Sequence, residues 1–203
     1  MIVSVEGNIG VGKSRFLELV REHFGNAVKI IYEPVEQWQN CGGHNLLELF
    51  YENGPKHAYV FQTYLLSTRL QLQIEQCQTG VSLVERSGRS DVSFAKLSHE
   101  NGFLSDVEYA AYMSLYNTMM ALMPPTSKII YLRASPETCM SRIYQRGRAE
   151  EAGISLAYLA RIHQLHDEWL VGPDVLVVDR EVNWEDRDDI EAVMDGVRAF
   201  LNS

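Results

Sequence analysis

Short apolar runs alternate along the chain with longer segments whose apolar residues recur at helical spacing. Four runs rich in β-branched residues predict strands, at residues 2–5, 81–84, 129–132 and 175–178. A fifth run, residues 28–32, mixes Lys29 with apolar neighbours and also predicts a strand. Apolar residues at consecutive positions are typical of parallel strands that helices cover on both faces.

Amphipathic patterns between these runs predict the helices. They lie at residues 14–24, 57–78, 106–123, 136–146, 155–170 and 185–200. Ser105 and Ser135 stand at expected N-cap positions, and Pro136 suits a first turn, which needs no N–H from it. Strands that alternate with helices indicate an α/β fold with a five-stranded parallel sheet flanked by helices.

Composition narrows the class of protein. The chain has 203 residues, of which 46% are hydrophobic and 22% charged, as in ordinary globular proteins. It contains no Gly- or Pro-rich linker, so residues 1–203 are expected to form a single domain, with mobile connections at residues 39–44 and 146–153. A formal net charge of −9 argues against binding to nucleic acid polymers, which favours a basic surface.

Cysteine spacing and hydropathy bear on the compartment. Cys41, Cys77 and Cys139 are an odd number at wide spacing, which predicts reduced thiols rather than disulfides or a zinc site. No apolar run approaches the roughly 20 residues that cross a membrane, and the N-terminus lacks the basic region of a signal peptide. We therefore expect a cytoplasmic protein with no membrane partner. A mitochondrial location stays open, because a transit peptide could precede Met1.

The segment after the first predicted strand is the most specific motif in the chain. Its residues are Gly7, Asn8, Ile9, Gly10, Val11, Gly12, Lys13 and Ser14, which fit the pattern G-x-x-x-x-G-K-[ST]. Glycines let backbone N–H groups surround phosphate oxygens, and the following helix directs its positive end at the same anion. Lys13 should reach the β- and γ-phosphates, and the Ser14 hydroxyl should bind Mg²⁺. The motif therefore predicts binding of ATP or a similar nucleotide.

Charged residues near the ends of later elements indicate the reaction. Glu33 follows the second strand, and Glu85 and Arg86 follow the third. One carboxylate can take the proton of an acceptor hydroxyl, another can hold Mg²⁺, and arginines can neutralise a phosphoryl group in transfer. The arginines near the end of one predicted helix are Arg142, Arg146 and Arg148. With the phosphate loop, this set favours phosphoryl transfer to a hydroxyl.

Five segments in this order resemble the deoxyribonucleoside kinase family. They are Gly-Asn-Ile-x-x-Gly-Lys-Ser from Gly7, Glu-Pro-Val-x-x-Trp from Glu33, Phe-Gln-Thr-Tyr from Phe61, Glu-Arg-Ser-x-x-Ser-Asp from Glu85, and Pro-Glu-Thr-Cys from Pro136 leading to Arg-Gly-Arg-x-Glu-Glu. The resemblance extends to about Trp184. It implies a P-loop kinase fold with an Arg-rich lid at residues 146–153. It also implies transfer of the γ-phosphate of ATP or UTP to the 5′-hydroxyl of a deoxynucleoside, in nucleotide salvage.

The resemblance further implies roles for individual residues. On the acceptor side it implies Glu33 as general base, Arg86 as its partner near the 5′-oxygen, Tyr51 and Glu151 at the 3′-hydroxyl, Gln62 at the edge of the base, and Trp38, Phe61 and Phe94 around the base. On the donor side it implies Lys13 at the phosphates, Ser14 and Glu85 at Mg²⁺, and Arg142, Arg146 and Arg148 in the lid. Members of the family form homodimers, here expected through residues 106–123 and a neighbouring helix.

Arg69 and Asp91 bear on the choice of base. In the resembled family an Arg and an Asp at these places accompany a preference for cytosine and purines, whereas thymidine-preferring members carry small or apolar residues. Such a pair would fill the volume that a thymine methyl needs. We therefore expect deoxycytidine and purine deoxynucleosides to be favoured over thymidine. Two positions depart from the family pattern: Leu65 is bulkier than expected, and the segment before Phe94 is one residue shorter.

Two alternatives stay open on the sequence. A nucleoside monophosphate kinase such as thymidylate kinase shares the fold and the lid, but it needs a fixed cation for the acceptor phosphate. Glu33 in that place favours a nucleoside. A non-catalytic nucleotide-binding subunit could keep the phosphate loop, but it would not need Glu33 and Arg86 as well. The loop near residues 182–187 is too irregular to decide between ATP and UTP.

Overall fold

The computed structural model describes residues 1–77, 80–181 and 187–203. Its strands are β1 (Ile2–Glu6), β2 (Val28–Ile31), β3 (Val81–Glu85), β4 (Lys128–Arg133) and β5 (Val175–Asp179). Its helices are α1 (Lys13–Phe24), α2 (Val35–Gln39), α3 (Leu46–Glu52), α4 (Gly54–Gln76), α5 (Gly88–Glu100), α6 (Asp106–Met120), α7 (Pro136–Arg146), α8 (Leu156–Trp169) and α9 (Arg187–Asn202). Short 3₁₀ turns lie at Gly25–Ala27 and Ala149–Gly153.

The five strands form one parallel sheet in the order β2-β3-β1-β4-β5, which confirms the predicted fold class. Val3 of β1 lies opposite Leu83 of β3, and Val5 lies opposite Ile130 of β4. These side chains are fully buried, as expected for central strands covered on both faces. Parallel strands end at the same edge of the sheet, and ligands of open α/β folds bind there.

Two hydrophobic clusters hold the site in place. In the first, Phe16 and Leu17 of α1 pack with the central strands and are fully buried. In the second, α2 to α6 pack together around Phe50, Phe61 and Tyr112. The phosphate loop is therefore fixed by the sheet and α1, whereas the far wall of the cleft belongs to the second cluster.

Helix starts follow the predicted capping residues. Ser105 forms a capping box with Glu108 at α6, and Ser135 accepts a hydrogen bond from the backbone N–H of Thr138 at α7. Ser155 caps α8 in the same way. In the described part of the chain, no helix has the length and apolar character needed to cross a membrane. Cys41, Cys77 and Cys139 are free thiols.

Several predicted helix boundaries were wrong. The helix expected at residues 57–78 begins at Gly54, because Pro55 is compatible with a first turn, and it ends at Gln76. The helix expected at 106–123 ends at Met120. Helices α2, α3 and α5 were not predicted. Gln78, the first residues of the helix expected at 185–200, Trp184, and most of the loop expected near the donor base lie outside the described residues.

Candidate active site

Charged and aromatic side chains converge at the carboxyl edge of the sheet in a cleft of about 570 Å³. The predicted site residues that line it are Ile9, Gly10, Gly12, Lys13, Ser14, Glu33, Trp38, Tyr51, Phe61, Gln62, Arg69, Glu85, Arg86, Asp91, Phe94, Arg142, Arg146, Arg148 and Glu151. Gly7, Asn8 and Val11 of the loop are instead buried, and the Asn8 amide donates to the Leu159 carbonyl at 2.9 Å. Residues drawn from all parts of the sequence therefore meet in one cleft.

The phosphate loop lies between β1 and α1, as predicted. Its backbone has φ values of +143° at Gly7 and +79° at Gly10, which suit glycine. A Cβ at Gly7 would lie 2.4 Å from the Leu132 carbonyl oxygen, so a side chain is also excluded by contact. The Lys13 Nζ donates to the carbonyl of Asn8 at 3.0 Å. Burial and the nearby Arg86 lower the pKa of Lys13 to about 8, as expected for a cation removed from water beside a like charge.

Ser14 and Glu85 meet at the start of α1. The Ser14 hydroxyl donates to Glu85 Oε1 at 3.0 Å. Burial and the neighbouring Glu33 raise the pKa of Glu85, so a nearby cation would stabilise its charged form. A hydroxyl and a carboxylate are oxygen ligands of the kind that Mg²⁺ prefers, and both face the cleft beside the phosphate loop. This pair fits the predicted magnesium site.

Glu33 is held by two arginines. Its Oε1 lies 3.0 Å from Arg69 Nη2 and 3.2 Å from Arg86 Nε. Burial alone would raise the pKa of Glu33, but Arg86 and Arg69 outweigh it and hold the pKa below its usual range. Glu33 is therefore ionised at neutral pH and fixed in orientation, two requirements of a general base.

Arg69 and Asp91 form a buried bidentate ion pair. The distances are 2.8 Å from Nε to Oδ2 and 3.0 Å from Nη2 to Oδ1, and the two side chains are 4% and 1% exposed. Burial opposes the charge on Arg69, but Asp91 and Glu33 raise its pKa above the usual value. Arg69 also donates to the Glu85 carbonyl at 2.8 Å. The two residues predicted from separate segments therefore form one unit, which also orients Glu33.

An aromatic wall closes the other end of the cleft. Phe61 stacks on Phe50 with ring centroids 4.8 Å apart, and Trp38 meets Phe61 edge-on at 6.3 Å. The Trp38 Nε1 donates to Thr68 at 3.0 Å, which fixes the indole. Gln62 lies beside this wall, and its buried Oε1 has no hydrogen-bond partner among the described residues. An apolar aromatic wall with an amide beside it suits a nucleobase.

Phe94 lines the cleft beneath Arg86. The Arg86 guanidinium carbon lies 4.8 Å from the centre of the Phe94 ring, a cation–π arrangement. Phe94 therefore provides an aromatic ring to the cleft, although the segment before it is one residue shorter than the family pattern.

The segment expected to form the lid is anchored at Glu151. One carboxylate oxygen accepts from Arg146, and the other lies 2.8 Å from Arg148 Nη1. Beside it, Glu150 accepts hydrogen bonds from Gln39 at 2.7 Å and from Asn45 at 3.0 Å. The two segments predicted as mobile connections are thus joined to each other in the described structure.

Arg142 behaves differently from the other two arginines, although it shares a helix face with Arg146. Its Nη1 donates to the Val11 carbonyl at 3.4 Å, and its Nη2 donates to the Arg180 carbonyl at 2.7 Å. Arg142 therefore joins the phosphate loop to the end of β5.

Sequence reasoning missed several residues at or near the site. Those that line the cleft are Arg15, Tyr32, Val35, Leu47, Phe50, Gln145, Tyr158 and Arg180. Arg180 lines the cleft beside Gly12, where burial and Arg142 lower its pKa to about 10. Arg180 directly follows a predicted strand, and the sequence could have marked it for that reason, because the site lies at the carboxyl ends of the strands. Tyr158 also lines the cleft, but nothing in its local sequence distinguishes it from a core residue. Glu6 lies behind the phosphate loop, fully buried at the end of β1.

Comparison with known proteins identifies a matching family and several similar proteins. The family described as "Deoxynucleoside kinase" matches residues 3–202. Human deoxycytidine kinase is 30% identical, over 99% of this chain and 91% of the human protein. Human mitochondrial thymidine kinase 2 is 37% identical, over 84% of this chain and 64% of its own length. A probable deoxycytidine kinase of fowlpox virus is 34% identical, over 83% of this chain and 71% of the viral protein. The chain belongs to the deoxynucleoside kinase family.

Proposed function

We propose that this protein is a deoxynucleoside 5′-kinase, which transfers the γ-phosphoryl group of ATP or another nucleoside triphosphate to a deoxynucleoside in nucleotide salvage. The observation that carries the proposal is the ionised Glu33, held by Arg69 and Arg86 in the same cleft as the phosphate loop. A phosphate holder beside a fixed carboxylate is what transfer to a hydroxyl needs. Family membership supports the same reaction.

In the proposed mechanism, Glu33 accepts the proton of the 5′-hydroxyl as that oxygen attacks the γ-phosphorus. The Arg86 guanidinium contacts Glu33 and also donates to the Gly7 carbonyl at 2.7 Å, so it lies between the base and the phosphate loop. From there it stabilises negative charge on the attacking oxygen. Lys13 and the loop amides bind the donor phosphates.

Mg²⁺ bound to Ser14 and Glu85 would neutralise charge on the donor phosphates. We propose residues 146–153 as the lid, with Arg142, Arg146 and Arg148 supplying positive charge to the phosphoryl group and excluding water. Tyr51 and Glu151 are proposed to contact the 3′-hydroxyl. Burial raises the pKa of Tyr51 well above its usual value, so it offers a neutral O–H group.

A nucleoside fits the acceptor side better than a nucleoside monophosphate. Arg69 and Arg86 are the cations beside Glu33, the proposed general base, and both contact its carboxylate. Arg69 also pairs with Asp91. An acceptor phosphate would have to compete with these carboxylates for its cation. Because both arginines are already paired with carboxylates, a neutral hydroxyl acceptor is favoured over the phosphate acceptor of a thymidylate kinase.

The preference for the nucleobase of the acceptor is proposed from the buried pair of Arg69 and Asp91. Their bidentate contact fixes both side chains at the cleft wall, and Leu65 lines the same cavity. The rigid ion pair occupies volume that the thymine methyl would need, whereas the bulky Leu65 is a departure from the family pattern and carries no part of this argument. We therefore propose that deoxycytidine and purine deoxynucleosides are preferred over thymidine.

A panel of acceptors tests this proposal. With ATP and Mg²⁺, we expect phosphorylation of deoxycytidine, deoxyadenosine and deoxyguanosine with higher kcat/KM than thymidine, and no phosphorylation of dTMP. Repeating the panel with UTP identifies the donor. A tenfold advantage for thymidine would contradict the argument from Arg69 and Asp91. A preference for dTMP would replace the nucleoside kinase with a monophosphate kinase, and no transfer to any acceptor would leave a nucleotide-binding subunit.

We also propose that residues 1–203 act as one catalytic domain and that two copies associate through α4 and α6. These helices pack against each other, yet Val60 of α4 is 52% exposed and Val107 of α6 is 79% exposed. Tyr112 is the one fully buried residue of α6 in the described structure. These exposed valines belong to the surface through which we propose that the two copies associate. The free thiols are consistent with the proposed cytoplasmic location.

A further inference from the structure

The backbone of Arg86 is strained. Its φ of +62° lies in the left-handed region, and Arg86 is the one non-glycine residue with positive φ in the described part of the chain. A residue with a Cβ is disfavoured there, so the conformation persists only where surrounding contacts impose it. Backbone strain of this kind is common at functional sites, and the Arg86 side chain contacts Glu33, the proposed general base.

The peptide groups on both sides of Arg86 are fixed by other segments. Its own N–H donates to the Val5 carbonyl at 3.0 Å, continuing the pairing of β3 with β1. The next N–H, that of Ser87, donates to Glu6 Oε1 at 2.9 Å. The preceding carbonyl, that of Glu85, accepts from Arg69 at 2.8 Å. The turn is thus held at three successive positions, and a carboxylic acid supplies one of them.

Glu6 is an unusual residue for its place. It is fully buried at the end of a central strand whose other residues include Val3 and Val5. Its Oε2 has no hydrogen-bond partner in the described structure, and burial raises the pKa of the carboxyl. Burying a carboxyl with one oxygen unpaired is costly, and an apolar side chain would pack there without that cost. The hydrogen bond from the Ser87 N–H is a contact that such an apolar residue could not make.

Glu6 and Gly7 together hold Arg86 at two points. The Glu6 side chain fixes the N–H that follows Arg86, and the Gly7 carbonyl accepts from the Arg86 guanidinium at 2.7 Å. Since Gly7 begins the phosphate loop and Glu6 directly precedes it, the backbone and the head group of Arg86 are both set relative to that loop. A shift at Ser87 would move the guanidinium away from Glu33.

We propose that Glu6 is a positioning residue for the reaction: by accepting the Ser87 N–H it holds Arg86 in its left-handed conformation, with the guanidinium between Glu33 and the phosphate loop. The proposal rests on the proposed kinase function, because the role of Arg86 does. It assigns no contact between Glu6 and either substrate. Its consequence is that Glu6 affects turnover through Arg86 and leaves substrate binding largely alone.

The first test compares two substitutions of Glu6. Glu6→Leu removes the acceptor, and we expect kcat to fall roughly 10- to 100-fold, since small misplacements of a reacting group have effects of this size, with KM for nucleoside and for ATP changed little. Glu6→Gln keeps an acceptor oxygen and should retain kcat within about threefold of the wild type. Gln73→Leu is the control for replacing a buried polar side chain with leucine, because Gln73 is buried on α4 and does not line the cleft. Glu6→Asp, with a shorter reach, replaces Glu6→Leu if that variant does not fold.

Two further readouts separate positioning from general damage. In an Arg86→Ala background, Glu6→Leu should lower kcat by less than about threefold, because residues that act as a unit are not additive. Hydrogen exchange at the Ser87 amide should speed up at least tenfold in Glu6→Leu and remain slow in Glu6→Gln. Wild-type turnover in Glu6→Leu, equal losses in both Glu6 variants, or full additivity with Arg86→Ala would overturn the proposal. If the wild-type protein phosphorylates no nucleoside, the proposed function fails, and the exchange measurement still decides whether Glu6 holds the turn.

Discussion

Replacing Glu33 with Gln is expected to lower kcat by about 100- to 10,000-fold, the range that a general base contributes. The amide cannot accept the 5′-hydroxyl proton, but its oxygen can still accept hydrogen bonds from Arg69 and Arg86. We therefore expect the dissociation constant of the nucleoside to stay within roughly threefold of the wild-type value. Steady-state kinetics for kcat, with fluorescence or calorimetric titration for binding, check both parts.

Glu36→Gln is the matched control for this experiment. Glu36 lies three residues further on, is exposed, and does not line the cleft, so the same chemical change should leave turnover unchanged. If Glu33→Gln turned over at the wild-type rate, Glu33 would be removed from the mechanism. If it lost binding and turnover together, Glu33 would act in holding the nucleoside rather than as the base.

Removing the partner of a buried arginine should give the largest loss of stability. Asp91→Ala leaves two buried arginines, Arg69 and Arg86, sharing the carboxylate of Glu33, and leaving a buried charge uncompensated in this way costs about 3–5 kcal/mol. For a chain of this size, each kcal/mol lowers the melting temperature by roughly 2–4 °C. We therefore expect calorimetry to show a decrease of roughly 6–20 °C.

The control for Asp91→Ala is a second bidentate pair on the surface. Arg161 donates to both oxygens of Glu100 at 2.8 Å, and both side chains are 32% exposed. Because exposed pairs contribute about 1 kcal/mol or less, Glu100→Ala should lower the melting temperature by less than about 4 °C. Equal effects of the two substitutions would show that burial does not distinguish the pairs. A double variant, Arg69→Met with Asp91→Leu, should recover part of the loss, since it leaves no unpaired charge.

The sheet and the phosphate loop could be predicted from the sequence because their signals are local. Each strand is an apolar run, and the loop is a contiguous motif in which glycine is required by positive φ and close backbone contact. Ser105 and Ser135 likewise act within their own helix turns. In each case the residues that specify the structure are neighbours in sequence.

The far wall of the cleft was harder to predict because packing decides it. Helix α5 contains one glycine and three serines, which are poor helix formers, and burial of Ala95 and Leu97 stabilises it. Helix α3 has seven residues, too few to be stable alone, and it relies on the Asn45 cap and on packing. The pairing of Arg69 with Asp91 followed from family resemblance, whereas the contact of Glu6 with Ser87 joins residues 81 positions apart and has no local signal.

The most direct test of the central claim is the fate of the γ-phosphate when the acceptor hydroxyl is removed. The protein is incubated with γ-labelled ATP, Mg²⁺ and either deoxycytidine or 2′,5′-dideoxycytidine, and the labelled products are separated. The account predicts label in deoxycytidine 5′-monophosphate and no labelled nucleoside product from the analogue that lacks the 5′-hydroxyl. Labelled product from the analogue, or no labelled product with any deoxynucleoside, would contradict it.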